Sequence, residues 1–308
     1  MCGIFGVLSY KNKLKDMDEL VNSLAEESAE RGTDATGIAY VSSGKIKINK
    51  QAVSSYRSKP NVPKFINAVI GHTRHSTQGD KSKNYNNHPW SETVKNCQFA
   101  LAHNGVLMND AEIQKKYKFK SRIQTDSFVA VQLLKMKNIL DFDSIKFMAE
   151  EIDGSFSFNI LDNKNNIYLV KGDSPISILH FRKIGVYVFA STERILWRAL
   201  IDSELFDDLQ AGNYEHIELK EGDILKITSN GKTEKGRFNY TYSSSPHWYD
   251  FGYSYTYGEK DVYGEQYLED IKTVAAMYGE DPEVIQELYE QGFSLEELED
   301  IIYCGSEV

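Results

Sequence analysis

A chain of 308 residues with 41% hydrophobic content is long enough for one large domain with a core, plus an appendage. Its formal net charge of -10 argues against a nucleic-acid partner, because phosphate binding calls for a surplus of Lys and Arg on at least one face. No stretch approaches the ~20 apolar residues that cross a bilayer, and the N-terminus lacks the charged-then-apolar layout of a secretory signal. The three cysteines, Cys2, Cys97 and Cys304, form no CxxC or Cys/His ligand pattern. The expectation is therefore a cytoplasmic protein with no membrane contact, no metal and no cofactor.

In chain order, Cys2 stands directly behind Met1 and leads into CGIFGVLSY. Asp16 is read as a helix start with Glu19 completing a capping box, an apolar stripe of Met17, Leu20, Val21, Leu24 and Ala25, and Gly32 as its stop. Ala68, Val69 and Ile70 read as a buried strand ending in Arg74, and residues 99–102 as another running into His103, Asn104 and Gly105. In QTDSF, Thr125 is read as the N-cap of a helix and Asp126 as part of its first turn. Asp143 opens a further helix, and Phe156, Phe158 and Ile160 alternate as in a half-buried strand, before the strands IYLV and VYVFA. A helix carrying Ile195, Leu196, Ala199 and Leu200 follows, then two strands read as a hairpin, 215–219 and 223–228, joined through Glu221 and Gly222. Antiparallel strands punctuated by helices place the chain in the α+β class.

Position 2 carries the chemistry. Removal of Met1, expected because Cys2 is small and Gly3 follows it, exposes a thiol and an α-amine on one residue. A thiol of pKa near ~8.5 is only partly ionised at neutral pH, and an α-amine of pKa about 7.7 to 8.0 is an attached base. Taken alone, Cys2 reads as an accidental cysteine that never reacts, and the rest of the chain reverses that reading. The later segments supply what an amide-cleaving cysteine needs. Arg74 at a strand end is suited to grip a carboxylate with two parallel hydrogen bonds. Asn104 beside Gly105 offers two donors for an oxyanion. Asp126 admits two readings, a complement to a helix dipole or a partner for an ammonium. Together they make an inventory for an α-amino acid with a side-chain amide.

The order CGIFG, RGTDATG, GHTRHSTQG, HNG, TDS, DGSFSF, FASTE resembles the glutaminase domain of class II, N-terminal-nucleophile glutamine amidotransferases, with spacing similar to the amidotransferase half of glucosamine-6-phosphate synthase. The resemblance runs from Cys2 to about Thr228 and implies a four-layer αββα sandwich, the N-terminal nucleophile hydrolase fold. It implies that Cys2 forms a γ-glutamyl thioester with L-glutamine, that Asn104 and Gly105 hold the oxyanion, that Arg74 and Thr77 bind the α-carboxylate, and that Asp126 binds the α-ammonium. It further implies that Arg31 helps to fix the nucleophile's terminus, although a purely structural ion pair is an equal reading of that arginine. The chain departs from the family pattern HTRWATHG at His75 and Gln78, and Phe128 stands where an acidic residue is usual.

The expected organisation is a glutaminase domain over 2–228, a Tyr-rich arm or linker over 229–267, and a small three-helix appendage over 268–308. Asp281-Pro282 starts one of the three helices, and Ser294 with Glu297 caps the last. The length leaves no room for the synthase domains known in such enzymes, so a separate ammonia-acceptor enzyme or synthase subunit is expected, docked by the C-terminal arm and helices. The alternative is that the reaction ends at glutamate and free ammonia. Two further readings stand beside this one. His75 and Gln78 motivate a glutamine-binding regulatory or scaffolding protein with little turnover; the other is an N-terminal-nucleophile hydrolase of a different amide, less well matched to Arg74 and Asp126.

Overall fold

The strands alternate in a way that sorts their side chains between two different cores. In the computed structural model, which describes residues 2–11, 14–241, 268, 271–272, 275–276, 281–290 and 298, β1 spans Gly3–Ser9. Its odd positions Phe5 and Val7 pack under helices, while its even position Leu8 faces another sheet. The same split recurs on β4 (Ala68–Arg74), with Val69 on the helix side and Ala68 and Ile70 on the sheet side. On β6 (Cys97–Leu107), Phe99 and Leu101 lie helix-side and Ala100 sheet-side. A strand covered on both faces has few polar positions, which is why β7 (Gly154–Asp162) is buried almost throughout rather than half-buried.

Two antiparallel sheets result. The first contains β1, β2 (Ala35–Ser42), β3 (Lys45–Gln51), β4, β9 (Ser177–Phe181), β10 (Val186–Ala190) and β11 (Glu215–His216), in the order β11-β9-β10-β1-β4-β2-β3. The second contains β5 (Trp90–Val94), β6, β7, β8 (Ile167–Lys171), β12 (Asp223–Ile227) and β13 (Thr233–Arg237), in the order β13-β12-β8-β7-β6-β5. Helix α1 (Met17–Glu27) and two later helices cover the first sheet's outer face. Helices α2 (Asp110–Tyr117), α3 (Phe128–Lys137) and α4 (Phe142–Glu151) cover the second. The two later helices on the first sheet are α5 (Glu193–Leu200) and α6 (Phe206–Gln210). This is the αββα sandwich, an α+β fold with one core between the sheets and one under each helical layer.

The helix stripes match the sequence reading more closely than the helix ends do. Met17, Leu20, Val21, Leu24 and Ala25 are the buried face of α1, and Ile195, Leu196, Ala199 and Leu200 that of α5. Asp16 is the N-cap of α1, but no side-chain bond closes a capping box; Glu204 takes the N–H groups of Lys15 and Asp16 instead. Helix α1 passes into a 3-10 turn, Ser28–Arg31, before Gly32. The capping box of α4 is formed by Asp141 and Ser144, two residues ahead of the expected Asp143 start. The expected hairpin over 215–219 and 223–228 is overturned. β11 pairs with β9 in the first sheet, and β12 pairs with β8 and β13 in the second, so the turn at Glu221-Gly222 carries the chain between sheets.

Contacts divide the chain into two compact units, Met1–Ser243 and Ser244–Val308. In the first, the Asn230-Gly231 turn joins β12 to β13, and Phe238 and Tyr240 close on Phe156 at ring-centroid distances of 5.8 Å and 5.3 Å. In the second, α7 (Pro282–Glu290) follows Asp281, whose carboxylate accepts the Glu283 N–H at 3.0 Å. Ile285 is buried with Leu268, Ile271, Ala275 and Leu298. The Tyr-rich run 242–267, the Ser294/Glu297 pair and Cys304 lie outside the described residues.

Candidate active site

Alternation along three strands brings the proposed chemistry to one end of the sandwich. Cys2 precedes β1 and shares the parity of Leu8, so it belongs to the face between the sheets; so do His72 and Arg74 on β4, and Asn104 on β6. His103 and Gly105 have the opposite parity on β6, toward the chain segment that starts α3. Cys2, Arg74, Thr77, Gly105 and Asp126 line one small pocket. Asn104 is next to Gly105 on the strand, and Arg31 approaches from behind Cys2.

Cys2 is half-buried, and its Sγ lies 3.4 Å from both the backbone N and the backbone O of His75. Burial raises the thiol above its ordinary value, an effect that the His75 backbone contact only partly offsets. Little thiolate exists at neutral pH without a nearby proton acceptor. Arg31 donates from Nε to the Cys2 carbonyl at 2.9 Å, which pins the residue's backbone and leaves its thiol to the pocket.

Asn104 is 1% exposed, yet neither its amide nitrogen nor its amide oxygen has a partner among the described residues. A buried amide in that state forfeits roughly 1–3 kcal/mol per group, and its nitrogen is left with donors to offer a bound molecule. Gly105 adopts φ +137°, and a Cβ there would sit 2.0 Å from the Ser155 carbonyl oxygen, so only glycine fits.

Arg74 is 2% exposed and is held rigid by the chain that follows it. Nη1 donates to Asn87 Oδ1 at 2.5 Å, and Nη2 to the backbone oxygens of Gln78 at 2.6 Å and Gly79 at 3.4 Å. Thr77 is exposed at the pocket rim. The loop from His75 to Lys81 is tied down by Asp34, which accepts from the Ser76 N–H at 2.9 Å and from Lys81 Nζ at 2.6 Å. Burial pushes the Asp34 carboxyl up, but those two donors outweigh it and leave it below its ordinary value. Asn87 and Asp34 were not singled out in the sequence. Asp34 lies inside the motif RGTDATG, whose place in the family order is the available signal; Asn87 lies in no such motif.

Two of the three departures from the family pattern occur at positions that meet the site through their backbones. His75 meets Cys2 by its N–H and C=O, and Gln78 meets Arg74 by its C=O, while both side chains are exposed. Phe128 packs on the helical core and meets Trp90 edge-on at 5.5 Å.

Asp126 sits ahead of α3 rather than in its first turn. Ser127 is the N-cap, and Thr125, the expected cap, is buried with its hydroxyl unpartnered. The Asp126 carboxylate accepts from the Leu107 N–H at 2.7 Å and from Ser127 Oγ at 3.1 Å, and neither donor is an α3 backbone N–H. Behind the pocket, His72 donates from Nε2 to the His103 carbonyl at 2.9 Å and its ring lies 4.0 Å from that of His88. Among the described residues no cluster of His, Cys, Asp and Glu could hold a metal ion.

A buried thiol at the head of a central strand, facing amide donors on a second sheet across an αββα sandwich, defines the N-terminal-nucleophile class. Comparison with known proteins agrees. Residues 72–198 match the glutamine amidotransferase domain family. The chain is 32% identical over 190 residues to glutamine–fructose-6-phosphate aminotransferase (isomerizing) of Streptococcus pyogenes serotype M6, a match covering 58% of this chain and 30% of the relative. It is 30% identical over 245 residues to the enzyme of that name from Sulfurisphaera tokodaii, covering 74% of this chain and 40% of the relative. The solved glutamine phosphoribosylpyrophosphate amidotransferase of B. subtilis superposes with a TM-score of 0.61 at 20% identity, covering 89% of this chain and 58% of that one. The chain therefore carries a class II glutamine amidotransferase domain, related in sequence to those two aminotransferases, and it spans less than half the length of either. No helix among the described residues is long and apolar enough to cross a membrane.

Proposed function

We propose that this chain is a glutaminase subunit that hydrolyses L-glutamine to glutamate and ammonia and passes the ammonia to a separate acceptor enzyme. The observation that carries the reading is the convergence of Cys2, Arg74, Gly105 and Asp126 on one pocket. Arg74 and Thr77 take the substrate α-carboxylate and Asp126 its α-ammonium, which leaves the side-chain amide directed at Cys2. Because burial holds the thiol protonated, the α-amine freed by loss of Met1 accepts its proton as sulfur attacks the amide carbon. The oxyanion that forms accepts hydrogen bonds from the Asn104 side-chain amide and the Gly105 N–H, each such donor commonly contributing about 3–4 kcal/mol in the transition state. Collapse breaks the C–N bond, the α-ammonium returns its proton to the departing nitrogen, and ammonia leaves behind a γ-glutamyl thioester. Water then attacks the thioester, releasing glutamate and restoring the thiol.

The relatives bear the names of different reactions: besides the aminotransferases above, the chain is 23% identical over 252 residues to 7-cyano-7-deazaguanine synthase 2 of Sulfurisphaera tokodaii. The regulatory reading drew on His75 and Gln78, and it is weakened because both serve the site through backbone atoms that any side chain supplies.

The mature chain should release glutamate and ammonia in equal amounts from glutamine. Cys2→Ala should abolish release while leaving the melting temperature unchanged, and protein that retains Met1 should be inactive. Residual turnover in Cys2→Ala would show that the nucleophile is wrongly assigned. Stoichiometric glutamine binding without ammonia release would favour the regulatory reading.

A further inference from the structure

We infer that Ser127, itself held by His103, is a positioning residue that aims the Asp126 carboxylate at the substrate α-ammonium. The inference rests on the glutaminase reading above. Asp126 is 4% exposed, and each of its oxygens takes one hydrogen bond: Oδ2 from the Leu107 N–H at 2.7 Å, and Oδ1 from Ser127 Oγ at 3.1 Å. Ser127 Oγ also lies 2.7 Å from His103 Nδ1. Both Ser127 and His103 are buried, so solvent does not complete these contacts.

The direction of the relay follows from the chemistry of its ends. An ionised carboxylate only accepts, and a serine hydroxyl has one proton, so that proton goes to Asp126. Oγ is then left to accept, which requires His103 Nδ1 to carry the ring proton and donate it. Burial holds the His103 imidazole below its ordinary value and therefore neutral, with that single proton spent on Ser127. The other ring nitrogen, Nε2, lies 3.3 Å from the Ser155 carbonyl, a longer contact than the 2.7 Å one between Nδ1 and Ser127.

The arrangement ties two halves of the substrate site to one strand. Leu107 and His103 both lie on β6, as do Asn104 and Gly105. A strand residue rises about 3.3 Å, so the span between the carboxylate's anchors and the oxyanion donors is set by backbone geometry rather than by a mobile loop. A carboxylate has about four lone-pair sites, and two used by β6 and its relay leave capacity for an ammonium. Without the Ser127 hydroxyl, one oxygen of a buried carboxylate loses its donor and the group is free to rotate about its Cβ–Cγ bond.

The test uses the mature full chain with glutamine as substrate and 4-carbamoylbutanoate, which is glutamine without its α-amine, as competitive inhibitor. Ser127→Ala should raise the KM for glutamine about ten-fold, the scale of one charge-assisted hydrogen bond, with the loss falling on KM rather than kcat. The Ki of 4-carbamoylbutanoate should not move, since it has no ammonium to misplace, and Ser127→Thr should restore the KM. An unchanged KM, or a KM and Ki that rise together, overturns the inference, the second result marking a general distortion of the pocket. A wild-type chain that releases no ammonia overturns the glutaminase reading and this inference with it, whereas an active wild type with either failed pattern overturns this inference alone.

Discussion

Among single residues, Gly105 is the position with the least freedom. Its backbone lies in a region that side chains rarely enter, and the Ser155 carbonyl fills the place of a Cβ. Gly105→Ala should therefore cost about 2–3 kcal/mol of stability and also turn the N–H away from the oxyanion position. Urea denaturation and glutaminase assays on one preparation check both; full activity in a destabilised variant would separate this N–H from catalysis. Cys2 illustrates the complementary point, that a residue type says little about reactivity. Cys97 is the other described cysteine; burial pushes its thiol up to about 11, and its Sγ donates to Asn96 Oδ1 at 3.7 Å. Two thiols raised by the same physics differ in what faces them.

At the scale of elements, helices were legible where a 3.6-residue period had one apolar face and illegible at their ends. The stripes of α1 and α5 follow from repetition, which a sequence displays directly. Their caps depend on which side chain reaches an N–H first, and that is decided by neighbours. At α1 a distant glutamate, Glu204, takes the place of a local cap. At α3 the carboxylate read as a helix residue is drawn to β6. The α4 box is local and complete, so Asp141→Ala should lower stability by about 1 kcal/mol and the melting temperature by a few degrees, without changing glutamine kinetics. A thermal shift within error would mean the box contributes nothing. The false hairpin at 215–228 has a comparable cause: Gly222 does turn the chain at φ +86°, but a turn signal does not say whether the strands beside it pair with each other or with different sheets.

For the whole molecule, the buried histidines behind the pocket link the active end to acid stability. Burial, with the nearby Arg74 guanidinium, lowers His72 to about 3, and His88 is likewise held well below its ordinary value. In the unfolded chain both titrate near ~6.5, so between there and the folded values the unfolded state binds more protons. Stability contributed by their neutral burial is complete above about pH 6.5 and is lost as pH falls toward the folded pKa. The urea midpoint should therefore decline from pH 7 to pH 5, and His72→Gln should flatten the slope even if it lowers the midpoint at pH 7. An equally steep decline in His72→Gln would assign the acid sensitivity elsewhere.

Order along the chain was sufficient for the class of fold and the family, and it named the candidate residues, because Cys2, Arg74, Asn104, Gly105 and Asp126 sit in short motifs whose succession carries the resemblance that no one of them carries alone. The supports around them were decided only by tertiary structure: Asn87 and the loop carbonyls on Arg74, Asp34 under the loop, and the relay from His103 through Ser127 to Asp126. A motif records what a residue is able to do, whereas a hydrogen bond between groups far apart in sequence exists only once the strands have taken their register and parity has assigned each side chain a face.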